Sequence, residues 1–222
     1  MKIRNHLARL MAGALLATSA ATAVALAPSA AHAATTYTDT ATLGAPSGIV
    51  EYGGSVYLDG RVESSDGFSP EGTVYLQELA YGSRTWRTVA SSDNTGYPYF
   101  TIQAAISGSL RIYYPGHTAT SDGDDNYKAA VSAPVSLKVA RKLTVKTKGL
   151  HVKGKVSPAH GKMKIVFKVK KGKHYKKWFK VKTKKNGKFK KTVPHEKIGT
   201  KVLVMIPGGQ GYAANAWYGQ YY

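Results

Sequence analysis

The 222-residue chain contains no cysteine. It therefore has no disulfide to stabilise a small exported fold, no thiol nucleophile and no cysteine ligand for a metal ion. Its stability must come from hydrophobic cores alone, which domains of about 80–100 residues are large enough to build. The absence of cysteine thus excludes the disulfide-rich scaffolds and the thiol enzymes as classes for this protein.

Acidic residues are almost absent from the C-terminal part of the chain. Residues 138–222 hold twenty-four lysines or arginines and one acid, Glu196, which gives a formal charge of +23. Residues 34–137 hold five basic and eleven acidic residues, a formal charge of −6. Within residues 162–191, fifteen of thirty residues are lysine. Such asymmetry along one chain is informative about binding partners rather than about fold.

The N-terminal residues have the pattern of a secretory signal peptide. Residues 2–9 include three basic side chains, an apolar run covers residues 10–26, and Ala31-His32-Ala33 has the small-residue pattern of a cleavage site. We therefore expect residues 1–33 to be removed on export. No later stretch is long and apolar enough to span a bilayer, which predicts a secreted, extracellular protein that is either released or held at the cell wall.

The sequence after residue 33 contains an internal repeat. The pattern Val56-x-Leu58-x-Gly60-x-Val62 returns 94 positions later as Leu150-x-Val152-x-Gly154-x-Val156. Other landmarks follow in the same order in both copies: Trp86 and Trp178, Phe100 and Phe189, and the strands at 110–114 and 202–206. Matching landmarks in the same order indicate a duplicated domain.

Each copy is rich in short, β-prone segments. Residues 73–77, 87–90, 99–104 and 110–114 are rich in Val, Ile, Tyr and Thr and are bounded by turn residues, and no segment keeps a helical period. This predicts an all-β chain of two tandem β-sandwiches. The boundary falls near 138–142, which gives an acidic part (residues 34–139) and a lysine-rich part (residues 140–222).

The segments VEYGGSVYLDGRV (50–62), GTVYLQ (72–77), LRIYYPG (110–116) and DGDDNY (122–127) resemble bacterial Ig-like repeat domains of secreted and cell-surface proteins. The resemblance is weaker over 143–222, where GGQGY replaces the acidic loop and lysine fills the outer strand positions. It implies Ig-like sandwiches that act as spacers, adhesive modules or accessory modules. The fold alone does not choose among these functions.

Lysine alternates with apolar residues in the lysine-rich part, as expected for strands with one buried face. The lysines then lie outside the sandwich, where like charges destabilise one another unless a polyanion or an acidic partner is present. The predicted polyanion-binding residues are Lys153, Lys155, Lys164, Lys168, Lys170, Lys180, Lys182, Lys184, Lys188 and Lys190.

The predicted partner is an anionic polymer: a wall polymer, an acidic polysaccharide or extracellular DNA. Aromatic residues such as Tyr175 and Trp178 lie among the lysines and could stack on bases or sugars, although burial of Trp178 at the sandwich rim is the simpler reading. Two alternatives stay open: a spacer that binds another protein, with its charge serving solubility, and a carbohydrate-binding accessory module.

No catalytic constellation, resident metal site or cofactor site is predicted. The five histidines beyond residue 33 have no zinc-site spacing, and acids such as Asp59, Glu63 and Glu78 are scattered. The loop 122–126 could offer oxygen ligands to Ca²⁺, but it lacks EF-hand spacing and reads better as a turn. We therefore predict a non-enzymatic protein.

Overall fold

A computed structural model describes residues 33–221. The expected signal peptide, residues 1–33, lies outside these residues apart from Ala33. The described chain is all-β, with strands and no helix, so the predicted fold class is confirmed. The predicted segments at 73–77, 87–90, 99–104 and 110–114 each coincide with a strand to within a few residues.

The acidic part contains eleven strands in sheets that pack face to face. They are β1 (Thr36–Tyr37), β2 (Asp39–Leu43), β3 (Ile49–Glu51), β4 (Ser55–Ser64), β5 (Val74–Ala80), β6 (Arg87–Ser92), β7 (Tyr99–Gln103), β8 (Gly108–Tyr114), β9 (Asn126–Tyr127), β10 (Ala130–Val131) and β11 (Val135–Ala140). One sheet has the order β2-β4-β7 and the other β3-β11-β8-β5-β6, with β10 also paired to β8 and β1 paired to β9. Leu58, Leu76 and Ile112 belong to the core between them.

The lysine-rich part contains seven strands. They are β12 (Lys142–Lys148), β13 (His151–Ser157), β14 (Lys164–Lys171), β15 (His174–Lys182), β16 (Lys188–Thr192), β17 (Lys201–Ile206) and β18 (Asn215–Gln220). One sheet has the order β12-β13-β16 and the other β15-β14-β17-β18. Ile165, Phe167 and Val204 lie in the core between the sheets, because every second residue of these strands is apolar.

The two parts share one strand order. The sheets β2-β4-β7 and β12-β13-β16 correspond strand by strand, and so do β6-β5-β8-β11 and β15-β14-β17-β18. The repeated landmarks of the sequence lie at equivalent places, for Phe100 is in β7 and Phe189 is in β16. The short strands β1, β3, β9 and β10 have no counterpart in the lysine-rich part. Of these, β3 pairs with β11 in the acidic part, whereas β12 and β13 are joined directly by Gly149-Leu150.

The repeated glycine of the Val-x-Leu-x-Gly-x-Val pattern lies where a neighbour approaches closely. Gly154 is paired with Phe189, and a Cβ atom on Gly154 would lie 2.3 Å from the Phe189 ring and 2.5 Å from the Thr144 carbonyl oxygen. A Cβ on Gly60 would lie 3.0 Å from Pro98 and 3.2 Å from Ile112. The glycine therefore serves core packing in both copies.

A short segment of the lysine-rich part contacts the acidic part. Tyr212, which precedes β18, packs against the hydrophobic core of the acidic part, and its hydroxyl donates a hydrogen bond of 2.9 Å to the Ala105 carbonyl. The Ser107 N–H donates to the Gly211 carbonyl, and the Ala213 N–H donates to the Val139 carbonyl, each at 2.8 Å. The two predicted domain boundaries, 34–139 and 140–222, stay a prediction.

Candidate polyanion-binding surface

The outer face of the sheet β12-β13-β16 carries lysines in rows that cross the strands. Lys146 is directly opposite Lys153, and Lys153 is directly opposite Lys190. Lys155 is directly opposite Lys188 in the next row. Directly opposite residues have Cβ atoms about 4.5–5.5 Å apart, so each row holds like charges at short range. All five side chains are exposed.

The outer face of the other sheet carries a second set of lysines. Lys164 is directly opposite Lys182, and Lys168 is directly opposite Lys177. Lys180 and Lys170 lie on the same two strands, opposite Val166 and Tyr175. The inward neighbours of these lysines are buried core residues, which explains why the chain can place so many charges on two adjacent strands without disturbing the core.

The ten predicted lysines therefore occupy two faces and one turn. Lys153, Lys155, Lys188 and Lys190 lie on the β12-β13-β16 sheet. Lys164, Lys168, Lys170, Lys180 and Lys182 lie on the β14–β15 hairpin, and Lys184 follows the hairpin. Because the two sheets pack through their inner faces, their outer faces point in opposite directions, and the lysines do not form one continuous sheet surface.

Two lysines of these rows were not among the predicted site residues. Lys146 belongs to the same strand pattern as Thr144 and Lys148, and it completes the row with Lys153 and Lys190. Lys177 faces Lys168 only because the pairing shifts by one residue between Phe167 and Lys168. The alternation of β12 was visible in the sequence, whereas nothing in the sequence indicated the shift.

The same bulge turns Trp178 inward. Trp178 is packed against the core, with its ring centre 4.9 Å from that of Phe179 and 6.0 Å from that of Tyr221. The simpler interpretation, that Trp178 covers the sandwich rim, fits this position. Trp86 is placed differently, since the guanidinium of Arg111 stacks on its ring at 4.2 Å.

Counter-charges are scarce around the lysines. Glu196 is the single acid of residues 138–222, and it forms an ion pair of 2.6 Å with Lys171. Among the ion pairs of residues 33–221, none joins an acid of the acidic part to a lysine of the lysine-rich part. The lysine rows are thus not neutralised by acidic side chains within the described chain.

The acidic loop of the first part is held by its own side chains. The Asp124 carboxylate accepts hydrogen bonds from the N–H groups of Thr120 and Asp125 and contacts the His117 ring nitrogen at 2.9 Å. The Asn126 side chain accepts a bond from the Ala119 N–H. The hydrogen bond from His117, followed by that from Thr120, lowers the pKa of Asp124 below its usual value of 3.8. Hydrogen bonds from nearby backbone N–H groups to Asp and Asn side chains are typical of a turn.

One group of possible metal ligands lies beside that loop. Ligand atoms of Glu71, His117 and Asp124 are all within 4.8 Å of one another, and Glu71 is the exposed member. Asp124 already accepts several hydrogen bonds, and no feature besides proximity distinguishes this group from an ordinary surface cluster.

The scattered acids lie in ordinary surroundings. Asp59 and Glu63 are on β4, and Glu63 forms an exposed ion pair with Arg61. Glu78 lies on β5 in the other sheet, where its buried carboxylate accepts two hydrogen bonds from Arg87.

Comparison with known proteins finds little similarity. No protein-family model matches the chain, and no curated protein matches it. Among solved structures, it is similar to the crystal structure of a tetra-tandem repeat in the extending region of a large adhesion protein, at 12% identity and a TM-score of 0.30. The similarity covers 83% of this chain and 49% of that one, so the chain spans about half of its length. No described helix is long and apolar enough to cross a membrane.

Proposed function

We propose that this protein is an exported, non-enzymatic binding protein of two Ig-like sandwiches, and that its lysine-rich part holds an anionic polymer. The polymer class is a wall polymer, an acidic polysaccharide or extracellular DNA. The proposal needs no cofactor and no catalytic residue. The proposed location outside the cell rests on the signal-peptide pattern of residues 1–33.

The row of Lys146, Lys153 and Lys190 carries the proposal. Each directly opposite pair of like charges destabilises a sheet by ~0.2–1 kcal/mol. The row contains two such pairs, and Lys155 with Lys188 adds a third. A chain that kept its surface charged for solubility alone would mix both signs, as ordinary surfaces do. Binding a polymer with repeated negative groups relieves the repulsion that the free protein contains.

The chemistry of lysine favours diffuse binding. A lysine ammonium is a hydrated point charge on a flexible stem, whereas arginine offers a planar fork for oriented, bidentate contacts. The lysine-rich part holds one arginine, Arg141, and this side chain is 4% exposed, with its guanidinium donating to the Pro158 carbonyl. The exposed charge is therefore lysine charge, suited to salt-sensitive contact with repeated phosphates or carboxylates.

The outer face of the β15-β14-β17-β18 sheet adds aromatic surface to its lysines. The rings of Tyr175 and Tyr218 meet edge to face with centres 6.2 Å apart. Leu203 lies between the strands that carry them and is 9% exposed. Aromatic rings beside cations can stack on bases or sugars, so this face suits single-stranded nucleic acid or a charged polysaccharide.

The proposal is tested by titrating residues 34–222 with wall polymer, with an acidic polysaccharide and with DNA, each at low and high salt. We expect binding at low salt that weakens steeply as salt rises, because the polymer's counterions are released on binding. Binding that is insensitive to salt would contradict an electrostatic mechanism. No binding to any of the three at low salt would leave the lysines as a solvated coat and refute the proposal.

A further inference from the structure

The acidic part closes one edge of its larger sheet with a short strand that the lysine-rich part lacks. β3 runs parallel to β11, with Ile49, Val50 and Glu51 opposite Lys138, Val139 and Ala140. Residues 44–54 connect β2 to β4 and are long enough to cross from one sheet to the other. In the lysine-rich part the equivalent connection is Gly149-Leu150, a tight turn that stays within one sheet.

β18, the equivalent of β11, is consequently an edge strand. The Tyr221 N–H donates a hydrogen bond to the carbonyl of Thr200, the residue directly opposite it. Hydrogen-bonded pairs recur at every second residue of an antiparallel ladder, so Gly219 and Trp217 also form such pairs with β17. In an antiparallel ladder the residues between such pairs direct their backbone groups to the other side. The N–H and C=O of Tyr218 therefore face the open edge, and no hydrogen bond to a described residue occupies them. The preceding outward N–H, that of Ala216, donates to the Asn215 side chain at 2.8 Å.

The composition of β18 sets it apart from its neighbours. Every other strand of the lysine-rich part carries at least one lysine, whereas β18 reads NAWYGQ and carries no charge. Trp217 is 43% exposed and Tyr218 is 65% exposed. Charged residues, above all lysine, protect sheet edges from pairing with another chain, and an uncharged aromatic edge is open to such pairing.

An apolar groove lies between the two sheets and reaches this edge at Trp217 of β18. It extends across the sheet to Trp178 of β15, and Val145 and Thr147 of β12 and Tyr221 also line it. The Trp178 indole Nε1–H is buried and has no hydrogen-bond partner among the described residues. In the acidic part, Val50 and Tyr52 pack against the core at the edge that β3 covers. The groove thus marks the place that β3-like side chains would fill.

We propose that this edge and groove form a strand-addition site for an extended acidic segment of a partner protein. The segment pairs with β18 as β3 pairs with β11, and places one apolar side chain in the groove. Its acidic character follows from the formal charge of +23 on residues 138–222, which attracts an acidic chain and repels a second copy of this part. The site uses the backbone edge of β18 and the groove, so it does not depend on polymer binding through the lysine rows.

The first test uses a synthetic peptide with the sequence of residues 47–53, Ser-Gly-Ile-Val-Glu-Tyr-Gly, which contains β3. It is titrated into residues 34–222 at about 1 M salt, where the screening length of about 3 Å suppresses general attraction to the lysines. We expect saturable binding, a change in tryptophan fluorescence and slower amide exchange at Tyr218. A peptide of the same composition in scrambled order is the matched control, and equal binding of both peptides would overturn the proposal.

A proline at the edge tests the backbone contact. Tyr218→Pro removes an N–H that faces away from β17, so the internal ladder stays intact. We expect peptide binding to weaken at least about tenfold, the factor that ~1.4 kcal/mol represents. Unchanged binding by a folded Tyr218→Pro variant would overturn the proposal, as would concentration-dependent dimerisation of the wild type that this variant abolishes, since the occupant would then be a second copy.

A loop graft keeps the test decisive if the proline variant does not fold. Replacing Gly149-Leu150 with residues 44–54 supplies the missing strand in cis. We expect a higher unfolding midpoint and loss of peptide binding. A graft that folds and still binds the peptide as well as the wild type would show that the groove is not the site. Polymer binding through the lysine rows should be unchanged in the graft, which separates the two proposals.

Discussion

The guanidinium carbon of Arg141 lies 4.0 Å from the centre of the Tyr212 ring. Arg141 is the single residue between β11 and β12, and Tyr212 packs against the core of the acidic part. Burial lowers the pKa of Arg141 and raises that of Tyr212. Arg141 is buried and Tyr212 is partly buried. The stacked pair fixes the segment before β18 against the junction of the two parts.

We predict that Arg141 and Tyr212 are energetically coupled. In a double-mutant cycle with Arg141→Ala and Tyr212→Leu, we expect a coupling of about 1–2 kcal/mol, because a cation–π contact is worth more when it is desolvated. Arg141→Lys should recover little of the loss, since an ammonium does not stack as a planar guanidinium does. Urea unfolding of the single and double variants measures the coupling, and additivity of the two substitutions would contradict it.

Gly154→Ala should destabilise the lysine-rich part. The added Cβ would collide with the Phe189 ring and with the backbone oxygen of Thr144, and backbone cannot move aside as a flexible side chain can. Overpacking of this kind costs about 1–3 kcal/mol. Lys155→Ala on the same strand is the control. It removes the like-charged pair with Lys188, so we expect no loss of stability and a gain of at most about 1 kcal/mol. Equal stability of the Gly154→Ala variant and the control by urea unfolding would contradict the packing argument.

Removing the row of Lys146, Lys153 and Lys190 should stabilise the free protein at low salt. The variant K146Q/K153Q/K190Q loses two directly opposite like-charged pairs, and we expect a gain of about 0.5–2 kcal/mol. The gain should shrink at high salt, which screens exposed charges. The matched control is K173Q/K185Q/K197Q, which removes three exposed lysines from turns and loops. Equal gains in thermal midpoint for both variants would show that total charge, rather than the row, is responsible.

The acidic loop should respond to pH through Asp124. Its folded-state pKa lies below the usual value of 3.8, first because of the hydrogen bond from His117. A lowered carboxyl pKa contributes stability that is present above about pH 3.8 and is lost as the pH falls through the lower, folded-state pKa. Asp124→Asn should therefore lower the melting temperature of the protein at neutral pH.

The difference in melting temperature between the wild type and Asp124→Asn should disappear in acid. Asp122→Asn on the same loop is the control, because Asp122 accepts none of the described hydrogen bonds of the loop. A melting-temperature difference for Asp124→Asn that is as large at pH 3 as at pH 7 would contradict the role of the ionised carboxylate.

The alternation of lysine with apolar residues was sufficient to predict the strands of the lysine-rich part and the exposure of its lysines. Met163, Ile165, Phe167 and Val169 are all buried, as the period of two in residues 162–171 requires. The repeat also placed Phe100 and Phe189 in equivalent strands. Local side-chain periodicity determines which face is buried, so it can be read without knowledge of tertiary contacts.

Pairing between strands could not be read in this way. The bulge between Phe167 and Lys168 turns Trp178 against the core and brings Lys177 opposite Lys168, and both consequences depend on long-range packing. The division of the lysines over two opposite faces likewise follows from sheet order, which periodicity leaves undetermined. The open edge at β18 became visible only when the connection Gly149-Leu150 could be compared with residues 44–54.

The most direct test of the central claim is the salt dependence of duplex DNA binding by K146Q/K153Q/K190Q, compared with that of K173Q/K185Q/K197Q. If the row holds the polymer, the slope of log K against log salt should fall by ~0.9 for each phosphate contact removed in the row variant. The loop variant should keep the wild-type slope. Identical slopes and affinities for the two variants would contradict the account. DNA binding would then depend on the total number of lysines and not on the position of the row.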